Sequence, residues 1–423
     1  MAKILISPLG LGGRSKGTDK YEREYQETCY HIDEKRYPSS RFVATVLYEH
    51  FQLDGIIFIG TVRSMWEEVY RFFCEKNGVE MDEAYWLLLA EKIDTLNYNS
   101  PLDSLDLSRV REVLGARSQC LLIKYGINQT ELWENFDRII QVVDTLEKGD
   151  KVYIDITTSF RSLSFFQFLT ITFINDLLTE KKIEIAGVYY GMLDVTRELG
   201  YTPIVDLKPM FEMTSWIKGA YSLKNDGNGE LISKLLNAQG ESQLATCTQN
   251  LSQAININYV NAIKQRSSDL KSALTNSVPN GPFKYVRKIL DNFVQRFTRT
   301  SASEADFQLE LSGWYFDNQR YATGYITLTE AIITYVCEIN DKDPKQQSNR
   351  RDMQDWLHQS ENNKRELAQL YFKINPIRNS IAHASLDASI RIQRFSDAIQ
   401  NAEGYHKTAK RIFCTKTLGN EMP

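Results

Sequence analysis

The sequence predicts an α/β Rossmann-like N-terminal half built on a parallel sheet, followed by an all-helical C-terminal half. Two observations carry this expectation. Over the first 212 residues, short and nearly unbroken apolar runs alternate with longer helical patterns. Strands covered on both faces alternate with their crossover helices in this way. Beyond about Met213 the runs stop, and apolar residues recur three and four positions apart, the spacing of packed helices.

Taken in order, strands are expected at Lys3–Ser7, Gly55–Gly60, Cys120–Tyr125, Lys151–Ile156 and Ile183–Tyr190. Helical patterns fill the gaps at about 41–51, 63–76, 131–146 and 161–178. Repeated strand, helix, strand is the signature of a doubly wound sheet. The fifth strand is expected to turn back through Gly191 and Gly200 into Pro203–Val205, which adds a hairpin at one edge. After the loop Asp226–Gly229 come helical patterns around 232–236, 251–259 and 267–274, then a break at Ser277–Pro282. Longer helices follow at 285–297, 304–316 and 320–339, ended by Asp341–Pro344. Patterns at 364–372, 377–384 and 388–412 close the chain. The expected division is 1–212, 213–300 and 301–423.

A chain of 423 residues is long for one core. Its 42% hydrophobic and 25% charged residues are a globular balance. The formal net charge of −4 gives no overall basic field, so any RNA contact needs a local patch. Six cysteines are scattered without a CxxC pair and read as reduced thiols of a cytoplasmic protein. The first apolar stretch ends at Pro8 and reads as a strand, not a signal peptide. No stretch approaches the roughly 20 apolar residues of a membrane span. The five histidines show no ligand spacing, so no metal is implied.

In open α/β sheets, ligands bind beyond the C-terminal strand ends. Those ends carry Ser7-Pro8-Leu9-Gly10, Gly60-Thr61-Val62-Arg63 and Thr157-Thr158-Ser159-Phe160-Arg161. Hydroxyls and backbone N–H groups at helix starts suit phosphates, and Arg63 and Arg161 add charge. Any one of these loops alone would be an ordinary helix cap; three at one sheet edge point to an anionic ligand. The dinucleotide fingerprint fails, because Gly10-x-Gly12 is followed by Ser15 where a third glycine belongs. A Walker loop fails too, because Ser15 precedes Lys16.

The most informative stretch is Arg378-Asn379-Ser380-Ile381-Ala382-His383. Five positions separate Arg378 from His383, so on a helix they stand about 140° apart and both can border one groove. A fixed cation beside a group that titrates near neutrality suits cleavage of a phosphodiester. Pro376 fits the first turn of a helix with Asn375 as its cap, so the motif is expected to open a new helix or follow a kink. Arg378 and Asn379 would then lie near a helix start, where anions are favoured. Arg351 and His358 form a similar pair, read as a solvated stretch between helices.

Arg378-Asn379 with His383 resembles the Arg-x(4–6)-His signature of HEPN ribonucleases. The segment Gly324–Ile333 resembles an early HEPN helix, with Glu330 similar to the acid often found there. Asp155-Ile156-Thr157-Thr158-Ser159-Phe160-Arg161-Ser162 resembles the Asp-Ile-Thr-His-Gly-Phe-Arg-Ser box of CARF sensor domains, and Ile4–Gly10 resembles the opening of that domain. Thr158-Ser159 stands where the box has His-Gly, which leaves the ligand's geometry and ring size open.

The resemblance covers about residues 1–212 and 300–400 and implies a CARF sensor (1–212) and a HEPN nuclease (301–423), as in ancillary ribonucleases of type III CRISPR systems; the stretch between them, 213–300, carries no placed motif and is read as a helical connecting region. It implies a homodimer that binds cyclic tetra- or hexa-adenylate as an allosteric activator across the paired sensors. It further implies metal-independent cleavage of single-stranded RNA to 2′,3′-cyclic phosphates, with Arg378, Asn379 and His383 at the catalytic centre. Ser7 to Gly10, Gly60, Thr61, Arg63 and Thr157 to Arg161 would hold the ligand. The sensor could also cut its own ligand. The competing reading is a non-catalytic CARF regulator whose helical half binds DNA or a protein partner.

Overall fold

The computed structural model describes residues 1–14, 23–24, 27–157, 161–177, 179–298, 303–359, 361–383 and 392–420. The chain divides into two compact units, Met1–Glu212 and Met213–Pro423.

The first unit is the expected α/β fold. Its strands are β1 Lys3–Leu9, β2 Gly13–Arg14, β3 Arg23–Glu24, β4 Thr28–Ile32, β5 Lys35–Ser40, β6 Gly55–Gly60, β7 Gln119–Leu122, β8 Lys151–Asp155, β9 Glu184–Gly191 and β10 Thr202–Asp206. Its helices are α1 Val43–Phe51, α2 Trp66–Asn77, α3 Glu83–Thr95, α4 Ser108–Leu114, α5 Gln129–Asp144, α6 Arg161–Leu177 and the short α7 Thr196–Leu199. Eight strands form one sheet in the order β5-β4-β10-β9-β8-β1-β6-β7, and β2 and β3 form a separate ribbon. β1 lies at the centre, parallel to β6 on one side and to β8 on the other.

Alternation along the strands sorts the core into two layers. Leu5, Ile56 and Phe58 pack against α1 to α4. Ile4, Ile6, Ile57 and Ile59 pack against α5 and α6. Every residue of β6 is buried, which is why it reads as an unbroken apolar run. The β9–β10 hairpin forms as expected, and β4 and β5 extend the sheet beyond it. That second hairpin was not legible. Thr28, Tyr30 and Ile32 do alternate inward, but Cys29, His31, Arg36 and Pro38 dilute the pattern. Helices α3 and α4 were missed as well.

Helix α8, Lys208–Asp226, also went unrecognised. The second unit continues with α9 Glu230–Ala238, α10 Ser242–Asn256, α11 Val260–Asn276, α12 Phe283–Phe297, α13 Glu304–Asp317, α14 Tyr321–Ile339, α15 Gln347–His358, α16 Glu366–Ala382 and α17 Ile392–Thr415. One core gathers α8 to α12 around Trp216, Leu251, Leu290 and Phe293. Another gathers α14 to α17 around Leu328, Ile332, Leu367 and Ile374. Helix α13 serves both, with Leu311, Trp314 and Tyr315 in the first and Ala305, Leu309 and Phe316 in the second. Among the described residues, no helix is long and apolar enough to cross a membrane.

Two expectations are corrected here. Residues 364–383 do not form two helices: α16 runs unbroken from Glu366 to Ala382 with Pro376 inside it. Leu367, Ala368, Leu370, Tyr371 and Ile374 are all buried, and that packing outweighs the lost backbone bond. Arg378 and Asn379 therefore stand near a helix end, not a helix start. Arg351 and His358 are exposed, as expected, but they do not lie between helices. Both belong to α15, which buries Met353 and Leu357 at four-residue spacing.

Tight strand packing gives a test. A Cβ added at Gly55 would lie 2.4 Å from the carbonyl oxygen of Arg117, a backbone atom that cannot swing away. Gly55→Ala should destabilise the α/β unit by about 1–3 kcal/mol, read as an earlier transition in urea unfolding of the full chain. Gly404→Ala meets nothing within 4 Å and should be neutral or stabilising by up to about 1 kcal/mol.

Candidate functional site

Two places in the molecule collect the residues that the sequence singled out. The first is the C-terminal edge of the central strands. Leu9 pairs with Gly60, and Ile6 pairs with Ile154, so the three expected loops leave from neighbouring strands. The chain adds β6 and β7 on one side of β1, then crosses to add β8 and β9 on the other. The gap between β1 and β8 is therefore the topological switch point, where such sheets bind ligands.

The first two loops are stitched together. Ser64 Oγ donates to the Leu9 carbonyl at 2.7 Å, and the Met65 N–H donates to the Gly10 carbonyl at 3.2 Å. Ser64 Oγ also accepts from the Thr61 N–H at 2.9 Å, and the Trp66 indole donates to the Thr61 carbonyl at 2.8 Å. Ser7, Pro8, Leu9, Gly60 and Thr61 are buried by this arrangement, while Gly10 and Arg63 remain half-buried. The Arg63 guanidinium lies 3.9 Å from Asp94. The first loops thus leave Gly10 and Arg63 partly exposed, and use the other side chains to hold shape.

Across the switch point, Ser7 Oγ donates to Asp155 Oδ2 at 2.7 Å. The Thr157 N–H donates to Asp155 Oδ1 at 2.8 Å, and Thr157 Oγ1 accepts from the Gly191 N–H at 2.8 Å. Gln167 Nε2 donates to the Asp155 carbonyl at 3.0 Å. Thr158, Ser159 and Phe160 lie outside the described residues, as does the side chain of Arg161, which opens α6. Asp155 is 1% exposed. Burial pushes its carboxyl up from the usual range, and the bonds from Thr157 and Ser7 offset part of that. Burial and the Asp155 charge also push the Tyr30 phenol up. Asp155, Tyr30 and Arg41 line a small cleft with Ser7 and Pro8. Tyr30 was missed because the hairpin that carries it was missed, and Arg41 because it was read into the following helix, which begins only at Val43. Asp155 could have been found as a carboxylate ending an apolar strand.

The second place is on α14, α15 and α16. The Arg378 side chain is half-buried, and its Nη2 lies 3.7 Å from Glu330 Oε1. Its Nη1 donates to Asn379 Oδ1 at 3.1 Å, so Asn379 orients the guanidinium. Arg378 Nε is buried without a hydrogen-bond partner among the described residues. Tyr371, seven positions earlier on the same face, is 3% exposed. Its phenol is pushed up, first by burial and then by the Glu330 charge, while Arg378 pulls it down. His383 caps α16, its N–H donating to the Asn379 carbonyl at 3.0 Å, and its ring is exposed. The alternative His358 leans on Phe372, ring centres 4.7 Å apart, while Arg351 points into solvent.

Buried Asp155 sets a pH test. A carboxyl whose folded pKa is raised stabilises the protein below the ordinary value, near 4. That contribution is lost as pH rises through the folded pKa. An asparagine in its place can keep both bonds, since Ser7 can accept where it now donates. The unfolding free energy of wild type minus that of Asp155→Asn should therefore fall as pH rises from about 4. A difference that stays flat or rises over that range would contradict a raised pKa.

Comparison with known proteins adds the following. Residues 212–304 match the family model described as CRISPR-associated protein MJ1674, second domain. The chain is 36% identical over 406 residues to CRISPR-associated protein MJ1674 of Methanocaldococcus jannaschii, covering 91% of this chain and 63% of that protein. The chain thus spans somewhat under two thirds of that relative's length. Among solved structures, Enterococcus italicus Csm6 bound to cyclic hexa-2'-fluoro-hexa-dAMP aligns at 12% identity with a TM-score of 0.34, covering 99% of this chain and 95% of that one. A likeness that slight carries no argument about this chain. The sequence relationship does: this chain is a homologue of a CRISPR-associated protein, in line with the type III CRISPR resemblance of its motifs.

Proposed function

We propose that this protein is a cyclic-oligoadenylate-activated endoribonuclease of CRISPR antiviral defence that cleaves single-stranded RNA without a metal. The observation that carries the reading is Arg378. Its guanidinium is half-buried, oriented by Asn379 and 3.7 Å from Glu330, it retains a buried N–H without a partner among the described residues, and His383 stands exposed at the end of the same helix. The relation to a CRISPR-associated protein supports the setting.

In this reading residues 1–212 are a CARF sensor, 213–300 a connecting domain and 301–423 a HEPN nuclease. The protein works in the cytoplasm as a homodimer in which two copies of Arg378 and His383 border one groove. The RNA's 2′-oxygen attacks the adjacent phosphorus, and the bond from phosphorus to the 5′-oxygen breaks. An imidazole accepts the 2′-hydroxyl proton, and the departing 5′-oxygen takes up a proton. Arg378 stabilises the charge that builds on the phosphorane oxygens. The products are a 2′,3′-cyclic phosphate and a 5′-hydroxyl. At the sheet edge, the switch point receives the cyclic activator, with Gly10, Arg63 and residues 157–161 as its contacts.

A fluorogenic RNA assay with cyclic tetra- and hexa-adenylate tests this. His383→Ala should lower cleavage by about 10²- to 10⁴-fold while activator binding persists, and Arg378→Ala should do likewise. His358→Ala should leave the rate unchanged. Cleavage by His383→Ala at the wild-type rate would remove the assignment. A duplex-DNA gel shift without RNase activity under any activator would favour the regulator instead.

A further inference from the structure

We propose that Arg350 is a positioning residue that keeps the Arg378 guanidinium available to an RNA phosphate by holding Glu330 away from it. The proposal rests on the ribonuclease reading above. Nothing in the motif signalled Arg350, which sits on α15, 28 positions before Arg378.

Glu330 is shared between two guanidiniums. Its Oε2 accepts from Arg350 Nη2, and its Oε1 faces Arg378 Nη2 at 3.7 Å. The two contacts are unequal. Charge-assisted hydrogen bonds close to about 2.7–2.9 Å, so Glu330 bonds Arg350 but only attracts Arg378. Arg350 can hold Glu330 because it is itself anchored. Its Nη1 donates to Thr334 Oγ1 at 2.9 Å and to the Pro344 carbonyl at 3.4 Å. Thr334 lies one turn beyond Glu330 on α14, so Arg350 spans both residues and pins the carboxylate along the helix.

Charge and donor accounting point the same way. Two guanidiniums face one carboxylate, which leaves one positive charge in excess. Arg378 gives Nη1 to Asn379 and has Nε buried without a partner among the described residues. Nη2, 3.7 Å from Glu330, is left able to bond an anion that comes closer. The three side chains are 21%, 32% and 33% exposed for Arg350, Glu330 and Arg378, so a phosphate can approach from solvent. Without Arg350, Glu330 would be free to close on Arg378 as a bidentate pair, and a substrate phosphate would have to displace it.

A double-mutant cycle decides the matter. Arg350→Met should lower kcat/KM for RNA about ten- to hundredfold, mostly through KM. Adding Glu330→Gln should restore most of that loss, because the competing charge is gone. Arg350→Lys should retain part of the wild-type activity. A merely structural Arg350 predicts no rescue, and a double variant as poor as Arg350→Met overturns the proposal. Labelling of Arg378 by phenylglyoxal, read by peptide mass spectrometry, needs no RNase activity. It should slow in folded Arg350→Met and quicken in Glu330→Gln. Unchanged or faster labelling in Arg350→Met overturns the clamp. If wild type neither cleaves nor binds single-stranded RNA, the ribonuclease reading falls, and the labelling still decides what Arg350 does to Arg378.

Discussion

The catalytic reading depends on helix α16 remaining one rod through Pro376. Proline inside a helix removes a backbone hydrogen bond and crowds the carbonyl four residues back, at a cost of about 3 kcal/mol. Five buried residues upstream of it, Leu367 to Ile374, fix the first two turns in the core. Fully burying each large apolar side chain stabilises by about 1.5–3 kcal/mol, so the packing outweighs the defect. Ser380 also donates to the Pro376 carbonyl at 3.0 Å. Because the rod continues, Tyr371 and Arg378 share a face seven positions apart, and that face meets Glu330 of α14. His383 then falls at the open end. A break at Pro376 would separate the anchored half of the helix from the half that carries Arg378 and His383.

In the α/β unit the equivalent constraint is the register of β1 between β6 and β8. That register sets Ser7 against Asp155 and Leu9 against Gly60. The sheet edge is held by internal bonds: buried hydroxyls of Ser7, Thr61 and Ser64 serve carboxylate and backbone partners. Rigid strand ends of this kind present backbone and a few half-buried groups, such as Gly10 and Arg63, in fixed positions. A fully buried carboxylic acid beneath them is a costly feature for stability alone, since burial disfavours its charged form.

Much of the fold was readable because burial and periodicity coincide there. β6 is apolar throughout and covered on both faces, and its predicted ends match those observed. The hairpin β4–β5 was hidden because only alternate residues face inward and the others are polar. Helix α8 was hidden because its stretch is interrupted by Pro209, Thr214, Ser215 and Gly219. The Arg378–His383 spacing was legible, but its helical context was misjudged, since proline preference is local and the packing that overrides it is not. Glu330 could be picked out by resemblance. Arg350 could not, because its role arises only when α15 lies beside α14, and no local pattern encodes that meeting. Asp155 stood in plain view, yet its importance comes from burial and from Ser7, 148 positions away.

The central claim is that a guanidinium and an imidazole on α16 cleave RNA through its own 2′-hydroxyl. End-group analysis of the fragments released from a defined oligonucleotide tests it most directly. The account predicts 2′,3′-cyclic phosphate and 5′-hydroxyl ends, and no scission where the ribose at the cleaved linkage is replaced by deoxyribose. Efficient cutting at that deoxy position, or fragments bearing 5′-phosphates, would contradict it.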